Sequence, residues 1–262
     1  QAVTFFQDAI AMCKSLADAD KMIALRLHGK IIETVDGLTV EFERYKAFAQ
    51  IATASIASLK AELQLAENLA PDPEIIRLLT ILSKAAWAEQ VKPDWDAAER
   101  YARAAVDMAE KLDNPLELSI ALSALGDVSF ARGLLREFVQ VCLQRLTLSR
   151  DPRFNDARQR VSALIRTSYA LVTVGEYAEA MPHLSEAASL AEQTLAVYEQ
   201  RAVLQHSAYC MFRLDRWDEV LGILDHVRDI QKRYPRERAG PECFPIALAA
   251  SVHTQRGEFN LG

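Results

Sequence analysis

Seven residues of this chain place positive charge and aromatic rings at a repeated interval. Lys84, Arg166 and His206 stand two residues before a small residue, at 86, 168 and 208, and Trp87, Tyr169 and Tyr209 stand one residue after it; Arg213 follows a few positions on. A cation over a ring face is attracted to the ring and keeps donors for a carboxylate or phosphate. The chemistry on offer is therefore recognition of a peptide with acidic and apolar side chains, or of an anionic small molecule. Catalysis would need convergent acids, bases or metal ligands, and the chain has no HExxH, GxxxxGK[ST] or GxSxG and no Cys/His cluster at metal spacing. The histidines, His28, His183, His206, His226 and His253, are dispersed and read as helix-face residues. No catalytic residue, metal or cofactor is expected. Cys13, Cys142, Cys210 and Cys243 form no CxxC and read as small buried thiols, which fits a reducing cytoplasm.

The elements that must position these residues are helical. Half of the 262 residues are hydrophobic and a quarter charged, which is enough for one large core or a series of small ones. No alternating β-branched run has strand length, and no apolar run reaches membrane-spanning length. The opening residues lack a signal-peptide pattern. A formal charge of −6 argues against wholesale nucleic-acid binding.

Self-similarity organises the chain from residue 74 onward. Turns centred on Trp95, Leu135, Tyr177, Trp217 and Phe259 are spaced 40, 42, 40 and 42 residues apart. Nine residues before each turn stand Ala86, Gly126, Ser168, Ala208 and Ala250, and four before those Leu82, Leu122, Leu164, Leu204 and Ile246. Three after the turn residue come Ala98, Phe138, Ala180 and Val220, and seven later Ala105, Arg145, Ala187 and Val227. Small residues allow close helix crossing, while large residues at the turns fill the space between hairpins. Helices are predicted at 74–90, 95–112, 116–132, 135–148, 156–174, 177–193, 196–214, 217–233 and 242–255, with Pro182 bending the sixth. Phe138 and Arg145 occupy columns that call for small residues, so the second hairpin is expected to be wider.

These columns, with Gly175-Glu-Tyr177-Ala-Glu-Ala180 and Gly257-Glu-Phe259 as the best matches, resemble the tetratricopeptide repeat (TPR) family. The period is longer than the usual 34 residues and is similar to the variety in bacterial signalling proteins, such as the maltose-regulon activator type and cyclase- or NTPase-associated repeat regions. The resemblance implies an all-α, right-handed superhelix (α-solenoid) of stacked antiparallel hairpins. It also implies a concave groove lined by one face of every first helix, comprising Lys84, Trp87, Asp127, Phe130, Arg166, Tyr169, Thr173, His206, Tyr209 and Arg213. The alternative for the same residues is that the aromatics pack between neighbouring first helices and the cations are simply solvated. The family's peptide-carboxylate clamp does not carry over, because Ala124 stands where it needs Asn.

The amino-terminal third is less regular, with helices predicted at 4–17, 21–35 and 40–69; the last carries a face suited to its neighbours, to a partner or to a second copy of the chain. One repeat domain is expected, irregular over 1–73 and regular over 74–262. Neither end looks like a cap, so the chain reads as an excerpt of a longer protein. Arg132, Arg136, Arg145, Arg150, Arg153, Arg158, Arg160 and Arg166 outnumber the acids among them, a solvated face or a docking surface for something acidic. The favoured function is a protein-interaction and regulatory scaffold, the repeat region of a larger cytoplasmic signalling or transcription-regulatory protein with a fused output domain. The alternative is a sensor domain that encloses a peptide or anionic small molecule. No enzyme activity and no membrane contact are expected.

Overall fold

A computed structural model describes residues 70–87, 93–194, 197–233 and 243–258. The predicted helices at 4–17, 21–35 and 40–69 lie outside these residues. Among those described, all regular structure is α-helical: α1 Pro73–Trp87, α2 Trp95–Leu112, α3 Pro115–Ala131, α4 Leu135–Leu148, α5 Ala157–Thr173, α6 Tyr177–Gln193, α7 Val197–Arg213, α8 Trp217–Arg233 and α9 Cys243–Gln255. The chain divides into two compact units at Gly133. In the first, α1 packs on α2 and both pack on α3. In the second, each helix from α4 to α9 packs on the next, and the first helices α5, α7 and α9 also pack on one another in sequence.

Side-chain caps start three of the helices. Asp94, Asn114 and Asp156 accept hydrogen bonds from backbone N–H groups in the first turns of α2, α3 and α5, with Pro115 at the first position of α3, where its missing N–H costs nothing. The hairpin turns share another device. Gly133, Gly175, Asp215 and Gly257, each two residues before the turn column, all have positive φ, of 74°, 89°, 57° and 74°. The next amide then reaches back five residues, Glu176 N–H to the Leu171 carbonyl and Arg216 N–H to that of Met211, both at 2.9 Å. That satisfies carbonyls which the helix end would otherwise leave bare.

The columns are buried. Ala98, Phe138, Ala180 and Val220 are each 0 % exposed, and Ala105, Arg145, Ala187 and Val227 are at most 2 % exposed. Where the small residue is polar its hydroxyl is used: Ser168 Oγ donates to its own Leu164 carbonyl and to the Ala180 carbonyl across the crossing. Ser83 Oγ bridges α1 to the Ala98 carbonyl, and Thr167 Oγ1 bridges α5 to the Cys142 carbonyl on α4. The helix α6 runs continuously through Pro182, whose side chain is exposed.

The arginine-rich run is not one solvated face. Arg145 is fully buried, and Arg160 donates to the Ser149 and Phe154 carbonyls, ordering the 149–156 link around the buried Phe154 ring. Arg153 pairs with Asp151, and Arg132 pairs with Glu99 in the first unit. Arg136, Arg150 and Arg158 remain exposed.

Two outcomes test this architecture. A Cβ at Gly175 would touch nothing within 4 Å, so Gly175→Ala should lose only the left-handed backbone preference, about 1–2 kcal/mol in a denaturant titration, while Asp215→Gly should gain a fraction of that. Ala180→Leu overpacks a crossing with no free space and should cost about 1–3 kcal/mol. An unchanged midpoint for Ala180→Leu would mean the register of α6 on α5 is wrong.

Candidate functional site

The ten groove residues fall into two sets. Lys84, Trp87, Asp127 and Phe130 belong to the first unit, and Arg166, Tyr169, Thr173, His206, Tyr209 and Arg213 to the second. In the first unit Lys84 is exposed on the last turn of α1, whereas Trp87 is half-buried against Ala86, Ala97, Ala98 and Val128 and so serves the core. Asp127 and Phe130 are half-buried on α3.

The second unit brings its residues together in two ring clusters. Tyr169 on α5 meets Phe138 on α4 edge-on, with centroids 6.1 Å apart, and the His206 ring on α7 at 5.3 Å. The Arg166 guanidinium lies 5.3 Å from the Phe138 centroid and 5.8 Å from that of Tyr169. In the second cluster Tyr209 on α7 meets Tyr177 on α6 edge-on at 5.9 Å. The Arg213 guanidinium sits 4.7 Å from the Tyr177 centroid and donates to the Tyr209 hydroxyl at 3.2 Å. Tyr169 and Tyr209 occupy the same repeat column, and each packs on an aromatic of the preceding second helix. The rings therefore pack between neighbouring hairpins, and each arginine, instead of being simply solvated, lies over two of them. Thr173 plays a smaller part, its hydroxyl bonded back to the Ala170 carbonyl at 2.6 Å.

Electrostatics separates the members. Burial first, and the nearby Arg166 second, hold His206 down at about 4, so at neutral pH it contributes an uncharged ring. Burial raises the Tyr169 hydroxyl above its ordinary value, with Arg166 opposing the shift. The Cys210 thiol, buried behind this wall, is pushed up to about 11 by desolvation and is inert as a nucleophile. Among the described residues no group of His, Cys, Asp and Glu could hold a metal ion, and no helix is long and apolar enough to cross a membrane.

Sequence reasoning missed Phe138 and Tyr177 as members of these clusters. The turn column of Tyr177 reads as packing between hairpins and Phe138 as a departure from a small-residue column, and only the side-chain directions show that the arginines of the next hairpin lie over them.

No protein-family model matches the sequence, and no curated protein matches it. Thirty solved chains do match in structure. The TPR-like repeats of a kinesin-light-chain-type protein of Podosopora anserina align with a TM-score of 0.61 at 17% identity, over 82% of this chain and 98% of that one. A Rap protein complexed with competence and sporulation factor aligns with a TM-score of 0.60 at 13% identity, over 98% of this chain and 72% of that one. The apo form of RapI gives 0.60 at 9% identity, over 99% and 72%. The fold is that of TPR-like helical repeats, all-α and of the solenoid class.

The His206 environment has a measurable consequence. Its folded pKa lies below the unfolded value, so between about pH 6.5 and 4 the unfolded chain binds a proton that the folded chain resists, and stability falls as pH falls. Comparing wild type with His206→Phe, the difference in unfolding free energy should be flat above pH 7 and shift by about 2–3 kcal/mol across that window. Parallel pH profiles for the two proteins would show that the ring is solvated in both states.

Proposed function

We propose that the protein is a protein-interaction module whose second unit captures an extended peptide carrying acidic and apolar or aromatic side chains. Arg166 and Arg213 take the acidic groups, and Tyr169 and Tyr209 give the apolar contacts. The observation that carries this reading is the lodging of each arginine over two rings. A guanidinium stacked this way has lost much of its rotamer freedom before any ligand arrives, so less is left to lose on binding. Thr173 and His206 sit on the same helices and support the wall from behind, His206 as a neutral ring against Tyr169. In the first unit Lys84, Trp87, Asp127 and Phe130 are candidate contacts from the equivalent columns. Complex formation by a Rap protein of the same fold with competence and sporulation factor is in keeping with a protein or peptide partner.

The wider reading is that this module is the repeat region of a larger cytoplasmic regulatory protein, without enzyme activity of its own, and that partner capture controls a fused output domain.

A displayed peptide library panned on the 262-residue protein tests the first part. Selected sequences should be enriched in Asp or Glu beside aromatic or aliphatic residues, and their affinity should fall as salt rises, because exposed charge contacts are screened. The pair Arg166→Ala and Arg213→Ala together should weaken them by at least about a hundredfold, each charged contact being worth roughly 1.5–3 kcal/mol, with the circular dichroism unchanged. Equal binding by wild type and the double variant at every salt concentration would move the surface elsewhere.

A further inference from the structure

The neighbouring first helices α5 and α7 carry the same stripe of positions, with their charge at opposite ends. Residues two before, one after and five after the small crossing residues Ser168 and Ala208 follow at steps of three and four, so they share one helix face. On α5 the stripe is Arg166, Tyr169 and Thr173; on α7 it is His206, Tyr209 and Arg213. The middle residue is tyrosine both times. The cation precedes the tyrosine on α5 and follows it on α7. The two other corners bring no positive charge: the Thr173 hydroxyl is bonded to the Ala170 carbonyl, and burial, with Arg166 nearby, keeps His206 uncharged at neutral pH.

Packing holds the two cations at these opposite ends. The helices α5 and α7 pack on one another, with the Tyr169 and His206 rings 5.3 Å apart. The guanidinium of Arg166 is 5.8 Å from the Tyr169 centroid, and that of Arg213 is 5.9 Å from the Tyr209 centroid. The second ring beneath each arginine shifts in the same sense as the arginine. Phe138, beneath Arg166, stands three residues after the start of α4, whereas Tyr177, beneath Arg213, is the first residue of α6. Second helices run antiparallel to the first helices beside them, so a ring nearer the start of the one lies nearer the end of the other. The two charges therefore lie on a diagonal. Seven residues along α7 and one spacing between neighbouring helix axes set them about 14 Å apart, the reach of four extended residues at about 3.3 Å each.

Granting the peptide capture proposed above, on which this rests, we infer that the bound segment crosses α5 and α7 obliquely and carries two acidic side chains four residues apart, with an apolar side chain midway. Side chains alternate along an extended chain, so positions i, i+2 and i+4 face the wall together. The outer two meet Arg166 and Arg213, and the middle one lies over Tyr169 and Tyr209. Cations level with each other on the two helices would be closer together and would select acids two residues apart. A single small anion spans neither arrangement, which sets a peptide ahead of a small molecule as the occupant.

Calorimetric titration of the 262-residue protein with unlabelled nonapeptides, blocked at both ends and of one composition, tests the diagonal. Odd positions hold two Glu and three Leu, even positions hold Ser, and the two Glu stand two, four or six residues apart. The four-residue spacing should bind at least about tenfold tighter than the other two, since it alone engages both guanidiniums. Combining Arg166→Ala with Thr173→Arg makes the cations level and should move the optimum to two residues. Should that variant fail to fold, Thr173→Arg alone adds the level pair to the diagonal one and should bring the two-residue spacing close to the affinity of the four-residue one. Equal affinity for all three spacings, lost on substituting Arg166→Ala and Arg213→Ala, would overturn the diagonal and leave peptide capture standing, as would a two-residue optimum in the wild type. Binding of none of the peptides, or binding indifferent to both arginines, would overturn the capture reading and the diagonal with it.

Discussion

The constraint on which the rest depends is the close approach of the two helices in each hairpin. Where Ala86 meets Ala98, and Ser168 meets Ala180, there is no room for a longer side chain, and in the latter case a hydroxyl reaches the facing carbonyl itself. Close crossing brings the larger residues flanking it into contact with the hairpin before, and those contacts bury Leu164, Leu184 and Val203 in a continuous cluster. Each hairpin therefore owes its stability to its neighbours, and burial spreads along the chain instead of collecting in one centre.

Charge is handled by the same packing. Glu117 is buried on α3 and meets Arg77 of α1 at 2.6 Å, so two first helices of the first unit are joined by a partly desolvated pair. Arg145 fills a column that elsewhere holds alanine or valine, and Arg160 satisfies two carbonyls of a link. In the second unit Arg166 and Arg213 lie over rings, while Arg136, Arg150 and Arg158 are exposed. The positive charge of the arginine-rich run is thus divided among structural tasks, exposed surface and, at Arg166, one of the two stations proposed to meet a partner.

Much of the scaffold was legible because one periodic signal reports it. The starts of α2, α4, α6 and α8 coincide with the predicted ones, since the turn column marks them directly. First-helix ends were less sharp; α5 and α7 are each slightly shorter than the pattern, because amphipathic spacing continues past the last hydrogen-bonded residue. Asp215 was not recognised as the left-handed residue of its turn, since Gly is the residue that signals this conformation and Asp adopts it only with local help. Within the candidate site, proximity of Arg166 to Tyr169 followed from helical spacing. The placement of Arg213 over Tyr177 did not, because it joins α7 to α6 and depends on how the two helices are rotated.

The hairpin turns and the links between hairpins differ in how far their length can vary. The turns at Gly133, Gly175 and Asp215 each pass through one left-handed residue and share one span, 132–134, 174–176 and 214–216, whereas the links run from the abutting caps Asp113 and Asn114 to the ordered stretch 149–156. Periods of 40 and 42 residues arise entirely in the links and in the helix ends that border them. An inserted residue in a turn would put that hairpin's second helix out of register with its first, by about 100° where the extra residue is taken up as helix. The same insertion in 149–156 would be absorbed between Arg153 and Phe154 without disturbing a crossing. Lineages of this repeat should therefore diverge in length at the links, and new loops, tags or inserted domains belong there.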